Sequence, residues 1–295
     1  MKGFDCSQVG VTLLAYSRPR HTAQVLEAIG REGVRHLTVF LDGADDAWVR
    51  SQQAEIRHMV ETIRWAECRL VQRDQNLGLA RSVVSSISEQ LQRYEQMILL
   101  EDDCVPQPHF FEFMFDALTA YTRRKEVRSI CGYQFPFAAF DGESIDPLIL
   151  HRFMPWGWAT WADRWQDYTL DLRVLANQVR KANLGDRLPG DLMRYCQNED
   201  LLNGRVDIWS INWAILHYLT GSWALYPTVS LIENIGFDGT GVHCVETSNF
   251  ETLSRVNGRH TVNLSKPPRH DPDFEHRVTS YLDKCSHQTM FKPLC

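Results

Sequence analysis

The apolar positions of the first hundred residues fall into short runs that alternate with longer amphipathic stretches. The β-prone runs are Val9 to Ala15, Leu37 to Leu41, Cys68 to Val71 and Met97 to Leu100. Leu79, Val83, Val84, Ile87 and Leu91 form one helical face behind the turn Asn76-Leu77-Gly78. The alternation predicts a βαβαβαβ order, and therefore an α/β fold whose mostly parallel sheet is covered by helices on both faces.

The first predicted helix has recognisable ends. Ser17 is a predicted N-cap with Pro19 in the first turn, and Gly30 and Gly33 are placed to end the helix before the second strand.

Beyond residue 104 the pattern changes to a helix around Phe110 to Tyr121, a short strand near Ser129 to Tyr133 and an irregular, aromatic-rich region. We expect one domain over residues 1–250, with a nucleotide-binding half at 9–104 and an acceptor half at 105–250. The prolines between residues 254 and 276 predict an exposed tail or wrapping arm within 251–295.

Composition narrows the class of protein. Of the 295 residues, 44% are hydrophobic and 23% charged, which is typical of a folded protein, and the formal net charge of −6 gives no reason to expect nucleic-acid binding. No window approaches a membrane span, and the start does not resemble a signal peptide, so a cytoplasmic location is expected. The cysteines form no CxxC pair, which argues against a structural zinc site.

The residues just after each predicted strand are the first candidates for function, because ligands bind open α/β sheets beyond the carboxyl ends of the strands. The acidic triplet Glu101-Asp102-Asp103 is the sharpest signal among them. Clustered carboxylates repel one another unless a cation compensates, and oxygen ligands suit Mg²⁺ or Mn²⁺ shared with substrate phosphates. A metal–diphosphate site is one interpretation, and a solvated acidic loop is the other.

Several segments resemble the inverting N-acetylglucosaminyltransferase I-like branch of the GT-A fold glycosyltransferases. They are EDDCVPQPHFFEFM, VTLLAYSRPR, LDG at 41–43, NLGLARS at 76–82, PWGWATWADRW at 155–165 and NIGFDGTGVHC at 234–244. These pieces span most of residues 9–244 in the expected order. The sequence looks like a bacterial sugar transferase of that type, with a Rossmann-like GT-A fold.

The resemblance implies roles for the acidic triplet. Asp103 would bind a Mn²⁺ or Mg²⁺ ion that bridges the donor diphosphate, Asp102 would contact the ribose, and Glu101 would support the nucleotide side. Asp42 matches a carboxylate that accepts a hydrogen bond from uracil.

Further residues match the nucleotide-binding loops of the family. Ser17 and Arg18 match the loop beside base and phosphates, and Asn76 and Arg81 sit at the turn that faces the nucleotide. Arg18 is equally explained as an exposed surface arginine, and Asn76 and Arg81 as a helix cap and a surface residue.

The resemblance also implies an aromatic wall, a closing loop and a base. Trp158 would line the sugar pocket, with Gly157 letting the backbone approach the donor. The i, i+4 spacing of Trp161 and Trp165 separately predicts that, on a helix, they pack into the protein core. His243 would touch the diphosphate or the metal from a Gly-rich loop, although a surface histidine is the commoner case.

An inverting transfer needs a general base, and Asp207 occupies the place of the family's aspartate–tryptophan motif. The adjacent aspartate of that motif is missing here, so Asp207 could instead be a helix N-cap. Glu199 and Asp200 are the alternative bases.

The expected activity is a metal-dependent, inverting transfer of a hexosyl or N-acetylhexosaminyl group from a UDP-sugar to a hydroxyl of a glycan or lipid-linked saccharide. The setting would be polysaccharide biosynthesis, in the cytoplasm or in peripheral contact with the inner face of the cell membrane. The alternatives are a sugar-phosphate nucleotidyltransferase, which normally has a Gly-rich loop where this chain has SRPR, and a saccharide-binding protein. The sequence contains no GxGxxG after the first strand and no GxxxxGK[ST], HExxH or GxSxG motif. Their absence argues against the usual dinucleotide-binding, P-loop, zincin and α/β-hydrolase classes.

Overall fold

The computed structural model describes residues 8–135, 147–185, 187–205, 207–239 and 263–287. Its first part alternates strands and helices: β1 (Val9–Ala15), α1 (Pro19–Arg31), β2 (His36–Leu41), α2 (Ala47–Thr62), β3 (Glu67–Gln72), α3 (Leu79–Arg93) and β4 (Gln96–Glu101). The four strands are parallel in the order β4-β1-β2-β3. The predicted βαβαβαβ order is confirmed, and the predicted boundaries of these four strands lie within one residue of the observed ones. The strand predicted near Ser129 to Tyr133 is observed two residues earlier, at Val127–Cys131.

The start of α1 differs from the prediction. Arg18, not Ser17, is the N-cap residue, and its side chain makes no capping hydrogen bond. Pro19 occupies the first helical position as predicted, because its fixed φ and missing N–H suit that place. Arg18 is therefore free to turn its side chain toward the end of the neighbouring strand.

The second part adds shorter elements to the same sheet. They are β5 (Cys104–Pro106), α4 (Phe110–Ala120), β6 (Val127–Cys131), β7 (Leu148–Leu150), β8 (Trp158–Trp161), α5 (Ala162–Trp165), α6 (Leu172–Lys181), α7 (Gly190–Gln197), α8 (Glu199–Leu202), α9 (Ser210–Thr220), β9 (Trp223–Tyr226), β10 (Ile232–Asn234), β11 (Arg269–His270) and α10 (Pro272–His287). Within the described ranges, nine strands form one sheet in the order β11-β7-β9-β6-β8-β4-β1-β2-β3, while β10 pairs with β5. β8 runs antiparallel to β4 and β6, and β7 runs antiparallel to β9. The fold is a mixed α/β fold with a mostly parallel central sheet, as predicted.

A cluster of indoles fills the core beside β8. Trp158 is fully buried and stacks on Trp209, with ring centroids 5.5 Å apart. Trp161 and Trp165 are buried as predicted, but Trp161 ends a strand and Trp165 ends the short helix that follows, so the pair does not share one helical face.

The C-terminal segment belongs to the body of the protein over residues 269–287. β11 pairs with β7 at the edge of the sheet, and α10 buries Phe274, Val278 and Leu282 in the core. An exposed tail is therefore wrong for α10, because the apolar face of this helix completes the core. The alternative of a wrapping arm describes the segment, in which Arg269 and His270 are exposed. A domain boundary at residue 250 would separate strands of one sheet.

Among the described residues, no helix combines the length and the apolar character that a membrane crossing requires.

Candidate functional site

A cluster of charged side chains lies where β1 and β4 end. The two strands are parallel neighbours, with Leu14 opposite Glu101, so the residues that follow them meet at one edge of the sheet. There the Arg18 guanidinium donates hydrogen bonds to Asp102 and, over 2.8 Å, to Oδ2 of Asp103. The structure thus brings Arg18 together with the triplet Glu101-Asp102-Asp103, as the strand-end positions predict.

Burial dominates the electrostatics of this cluster. Burial, followed by the charges of Asp103 and Asp102, raises the pKa of Glu101. The pKa of Asp102 is also raised by burial, although the Arg18 guanidinium opposes the shift. For Arg18, burial lowers the pKa, but the two aspartates outweigh it, so the guanidinium stays charged. The carboxylates therefore need more positive charge than Arg18 alone supplies.

This set fits a divalent cation. Among the described residues, none donates a hydrogen bond to the buried Oδ2 of Asp102. Asp102 and Asp103 share the Arg18 guanidinium, and Glu101 is close enough for the charges of all three to affect its pKa. In the described ranges, no three His, Cys, Asp or Glu side chains are arranged to hold a metal ion by themselves. Mg²⁺ and Mn²⁺ sites built from one or two carboxylates plus substrate phosphates have this incomplete character. Asp103 and Asp102 are the residues that could hold such an ion.

The segment after β10 covers Asp103. The Ile235 N–H donates to the Asp103 carbonyl over 2.9 Å, and a Cβ on Gly236 would lie 2.2 Å from Oδ2 of Asp103. Only glycine permits this approach, which explains one glycine of the NIGFDG run. Further along, Asp238 lies 3.2 Å from Nε2 of His21 on α1. Sequence reasoning missed His21, which follows Arg18 by nearly one helical turn. His243 lies outside the described residues.

Asp42 has a structural role at the end of β2. Its Oδ1 accepts the N–H groups of Gly43 over 2.9 Å and of Leu77 over 3.1 Å. Burial raises the pKa of Asp42, and these backbone donors oppose the shift. The carboxylate therefore fixes the turn before α3, and its contact with uracil remains a prediction.

Asn76 joins two residues that sequence reasoning did not select. Its side-chain amide donates to the Tyr16 hydroxyl over 3.1 Å and also to Asp45, while its Oδ1 accepts the Gly78 N–H. Tyr16 follows β1, so the position rule for strand ends would have found it. Ser17 lies beside Tyr16 and is half-buried, whereas Arg81 is exposed in the first turn of α3.

Asp207 caps a helix, but not the one that follows it. Its Oδ1 accepts the Ala80 N–H at the start of α3 over 3.1 Å, and a Cβ on Gly78 would lie 2.7 Å from its Oδ2. Asp207 is not the N-cap of the helix that follows it, because the N-cap residue of α9 is Trp209. Its contact with Ala80 instead brings it to the turn that holds Asn76. The alternative bases lie elsewhere: Asp200 is exposed and paired with Arg205 over 2.9 Å, and Glu199 is exposed on α8.

Trp158 and Trp156 differ in their exposure to solvent. Trp158 has no exposed surface, because it faces the indole core, so its expected place in the sugar pocket is wrong. Gly157 has φ +55° and packs against Ile232, where a Cβ would lie 2.4 Å from Cδ1. Trp156 is half-buried and meets Phe237 edge-to-face, with centroids 5.4 Å apart. Phe237 follows Gly236, so this pair adjoins the carboxylate cluster.

No protein-family model and no curated protein sequence matches this chain. Among solved structures, it is similar to the mannosyltransferase PcManGT from Pyrobaculum calidifontis in complex with GDP-Man and Mn²⁺. The similarity has 15% identity and a TM-score of 0.40, and it covers 55% of this chain and 47% of that chain. The chain therefore spans about half the length of that protein. A similarity of this size says nothing about the donor or the metal of this chain, and the N-acetylglucosaminyltransferase I-like resemblance stays a prediction.

Proposed function

We propose that this protein is a metal-dependent glycosyltransferase that uses a nucleotide diphosphate sugar. The observation that carries the proposal is the cluster in which Arg18 contacts both Asp102 and Asp103 at the carboxyl ends of β1 and β4. A guanidinium beside buried, undercompensated carboxylates suits a diphosphate held together with a divalent cation. The donor is a UDP-sugar in this proposal, following the resemblance of the strand-end motifs.

In this proposal, Arg18 and the two aspartates bind different parts of the donor complex. Arg18 donates charge-assisted hydrogen bonds to the diphosphate, and Asp103, with Oδ2 of Asp102, holds Mn²⁺ or Mg²⁺. When bound, the ion supplies charge that offsets the negative charge of the leaving diphosphate. Glu101 supports this arrangement from the end of β4, and Asn76 with Tyr16 faces the nucleoside side.

Asp207 is the proposed general base of an inverting transfer. It lies against the turn before α3, on the same edge of the sheet as the nucleotide loops. In this role it takes the proton of the acceptor hydroxyl as that oxygen attacks the anomeric carbon. The acceptor is a hydroxyl of a glycan or lipid-linked saccharide, and the transferred group is a hexosyl or N-acetylhexosaminyl sugar.

Trp156 and Phe237 are the proposed aromatic contacts of the sugar. Indole rings pack against the apolar C–H faces of sugars, and this pair adjoins the segment that covers Asp103. The residues after Asn234 would exclude water once the donor is bound, which protects it from hydrolysis. The proposed setting is polysaccharide biosynthesis in the cytoplasm, in peripheral contact with the membrane where the acceptor is lipid-linked.

Thermal unfolding with UDP and Mn²⁺ tests the proposal. At about 100 times its dissociation constant, a ligand stabilises the native state by about 2.7 kcal/mol. We expect UDP to raise the melting temperature only when Mn²⁺ or Mg²⁺ is present. A saccharide-binding protein would not respond, and a nucleotidyltransferase would respond more strongly to UTP. A mass-spectrometric screen of nucleotide sugars with Mn²⁺ then identifies the donor.

A further inference from the structure

A surface groove of about 760 Å³ lies between α6, α7 and α8, away from the carboxylate cluster. Its floor is aliphatic, formed by Ala176, Val179 and Leu202, with the Met193 side chain beside them. Its polar lining consists of two guanidinium, three amide and one carboxylate side chains: Arg173, Arg180, Asn177, Asn183, Gln197 and Glu199. An apolar floor with several amide groups suits a sugar, whose C–H face packs on carbon and whose hydroxyl groups both donate and accept.

The two arginines make the groove locally positive. Arg173 donates to the Asn203 side chain and Arg180 to the Asn177 side chain, both neutral amides. Across the described residues, neither guanidinium forms an ion pair with a carboxylate. Glu199 is the single acidic side chain of the lining, in a chain whose net charge is −6. Unpaired arginines are the usual partners of carboxylate and phosphate groups.

The groove adjoins the segment that carries Asp207. Leu202, at the end of α8, precedes Asp207 by five residues, a stretch that spans at most about 18 Å. Asp207 in turn contacts Ala80 at the carboxyl edge of the sheet. One end of an extended saccharide could therefore reach Asp207 while a later unit occupies the groove.

We propose that this groove binds an anionic saccharide, one that carries carboxylate or phosphate groups, as part of the acceptor. Arg173 and Arg180 bind the anionic groups, the three amides bind the hydroxyls, and the aliphatic floor receives the ring. The acceptor role rests on the proposed glycosyltransferase function; binding of the saccharide to the groove does not.

Calorimetric titration of the full chain, without nucleotide, tests the binding. The probes are a hyaluronan hexasaccharide, which carries carboxylates, glucose 6-phosphate, which carries a phosphate, and chitohexaose, which is neutral. We expect at least one anionic probe to bind about tenfold more tightly than chitohexaose, as a charge-assisted contact would give. Tighter binding of the carboxylated or the phosphorylated probe identifies the anionic group. Equal affinity for all three, or no binding of either anionic probe, would overturn the proposal.

Arg173→Gln and Arg180→Gln should each lower the affinity for the anionic probe about tenfold, whereas Lys181→Gln should leave this affinity unchanged. Lys181 is the matched control, since it ends the same helix and is exposed but does not line the groove. An equal loss in Lys181→Gln would mean general attraction rather than a site. Both arginines are exposed, so we expect each substitution to leave the melting temperature unchanged. If one variant misfolds, the other still tests the groove.

Two further arms separate competing explanations. Vesicles that contain phosphatidylglycerol should not bind with the same arginine dependence; vesicle binding without saccharide binding would assign the groove to a membrane and overturn the proposal. The UDP and Mn²⁺ thermal shift is measured on the same variants. No saccharide binding by the unsubstituted chain, with an intact shift, counts against the groove alone. Saccharide binding by that chain without any UDP response counts against the proposed enzyme alone.

Discussion

The two parts of the sheet differ in the side chains that their strands bring together. In β1 to β4 the strands are parallel, and their shared carboxyl edge gathers Arg18 with the acidic triplet. In the second part the strands include antiparallel pairs, and their faces pack against indoles such as Trp158 and Trp213. Parallel strands end together and leave polar residues at one edge, whereas the second part offers covered faces that suit large apolar side chains.

His217 shows what burial does in the aromatic part. It is fully buried, its Nδ1 lies 2.9 Å from the Trp213 carbonyl, and burial lowers its pKa to about 3. It is therefore neutral at physiological pH. At the carboxyl edge, by contrast, the buried acids are partly compensated by Arg18 and adjoin half-exposed residues. Burial without a charged partner therefore keeps His217 neutral, whereas Arg18 keeps charge at the carboxyl edge, as the Arg152–Asp191 ion pair does inside the aromatic part.

The largest effect should come from breaking the carboxyl edge. Asp103→Asn keeps the side-chain size that Gly236 packs against but removes the charge that holds the cation. We expect turnover to fall about 1,000-fold, or about 4 kcal/mol, with the fold retained. Steady-state kinetics over a Mn²⁺ titration measures this. Asp163→Asn removes an exposed carboxylate of the second part, which pairs with Lys125, and should leave turnover unchanged. Equal turnover in both variants would contradict the metal role.

Breaking the aromatic part should cost stability instead. Trp158→Ala leaves a cavity in the indole core and should lower the free energy of unfolding by about 4 kcal/mol. Trp48 is 63% exposed on α2, and Trp48→Ala should change the free energy of unfolding by less than about 0.5 kcal/mol. Urea unfolding followed by fluorescence measures both. A small effect of Trp158→Ala would show that this tryptophan is not a core residue.

Asp207 connects the two parts, and two substitutions separate its roles. Asp207→Ala removes the cap of α3 and should cost about 1 kcal/mol of stability, whereas Asp207→Asn keeps an acceptor oxygen for the Ala80 N–H. If Asp207 is the base, both variants lose turnover about 100-fold or more while UDP binding persists. If Asp207→Asn keeps its turnover, Asp207 is only a cap of α3, and Glu199 or Asp200 becomes the candidate base.

The carboxyl edge should also make the stability of the protein depend on pH. Burial, with Asp103 and Asp102, raises the pKa of Glu101 from 4.5 to about 8. Between these values the folded protein holds a proton that the unfolded chain releases, so the free energy of unfolding should fall as pH rises through this window in metal-free buffer. The expected slope is at most about 1.4 kcal/mol for each pH unit, and Glu101→Gln should remove it. Glu67→Gln, which changes an exposed carboxylate, should leave the slope as it is. An unchanged slope in Glu101→Gln would show that Glu101 titrates normally.

The sequence by itself determined the parallel part. The apolar runs at Val9 to Ala15 and Met97 to Leu100 are local patterns, and their order dictates parallel strands whose ends meet, so Arg18 and Asp103 could be grouped before any coordinates. The resemblance motifs added Asp207 and the glycines near Asn234.

The tertiary structure decided which of those residues face each other. The burial of Trp158 and the half-exposure of Trp156 depend on how β8 lies between β4 and β6, and neighbouring indoles look alike in a local pattern. Asp207 caps α3 across 127 positions of the chain, and α10 closes the core although the prolines at and before its start suggested an exposed tail. Such contacts are set by long-range packing, which periodicity and spacing do not encode.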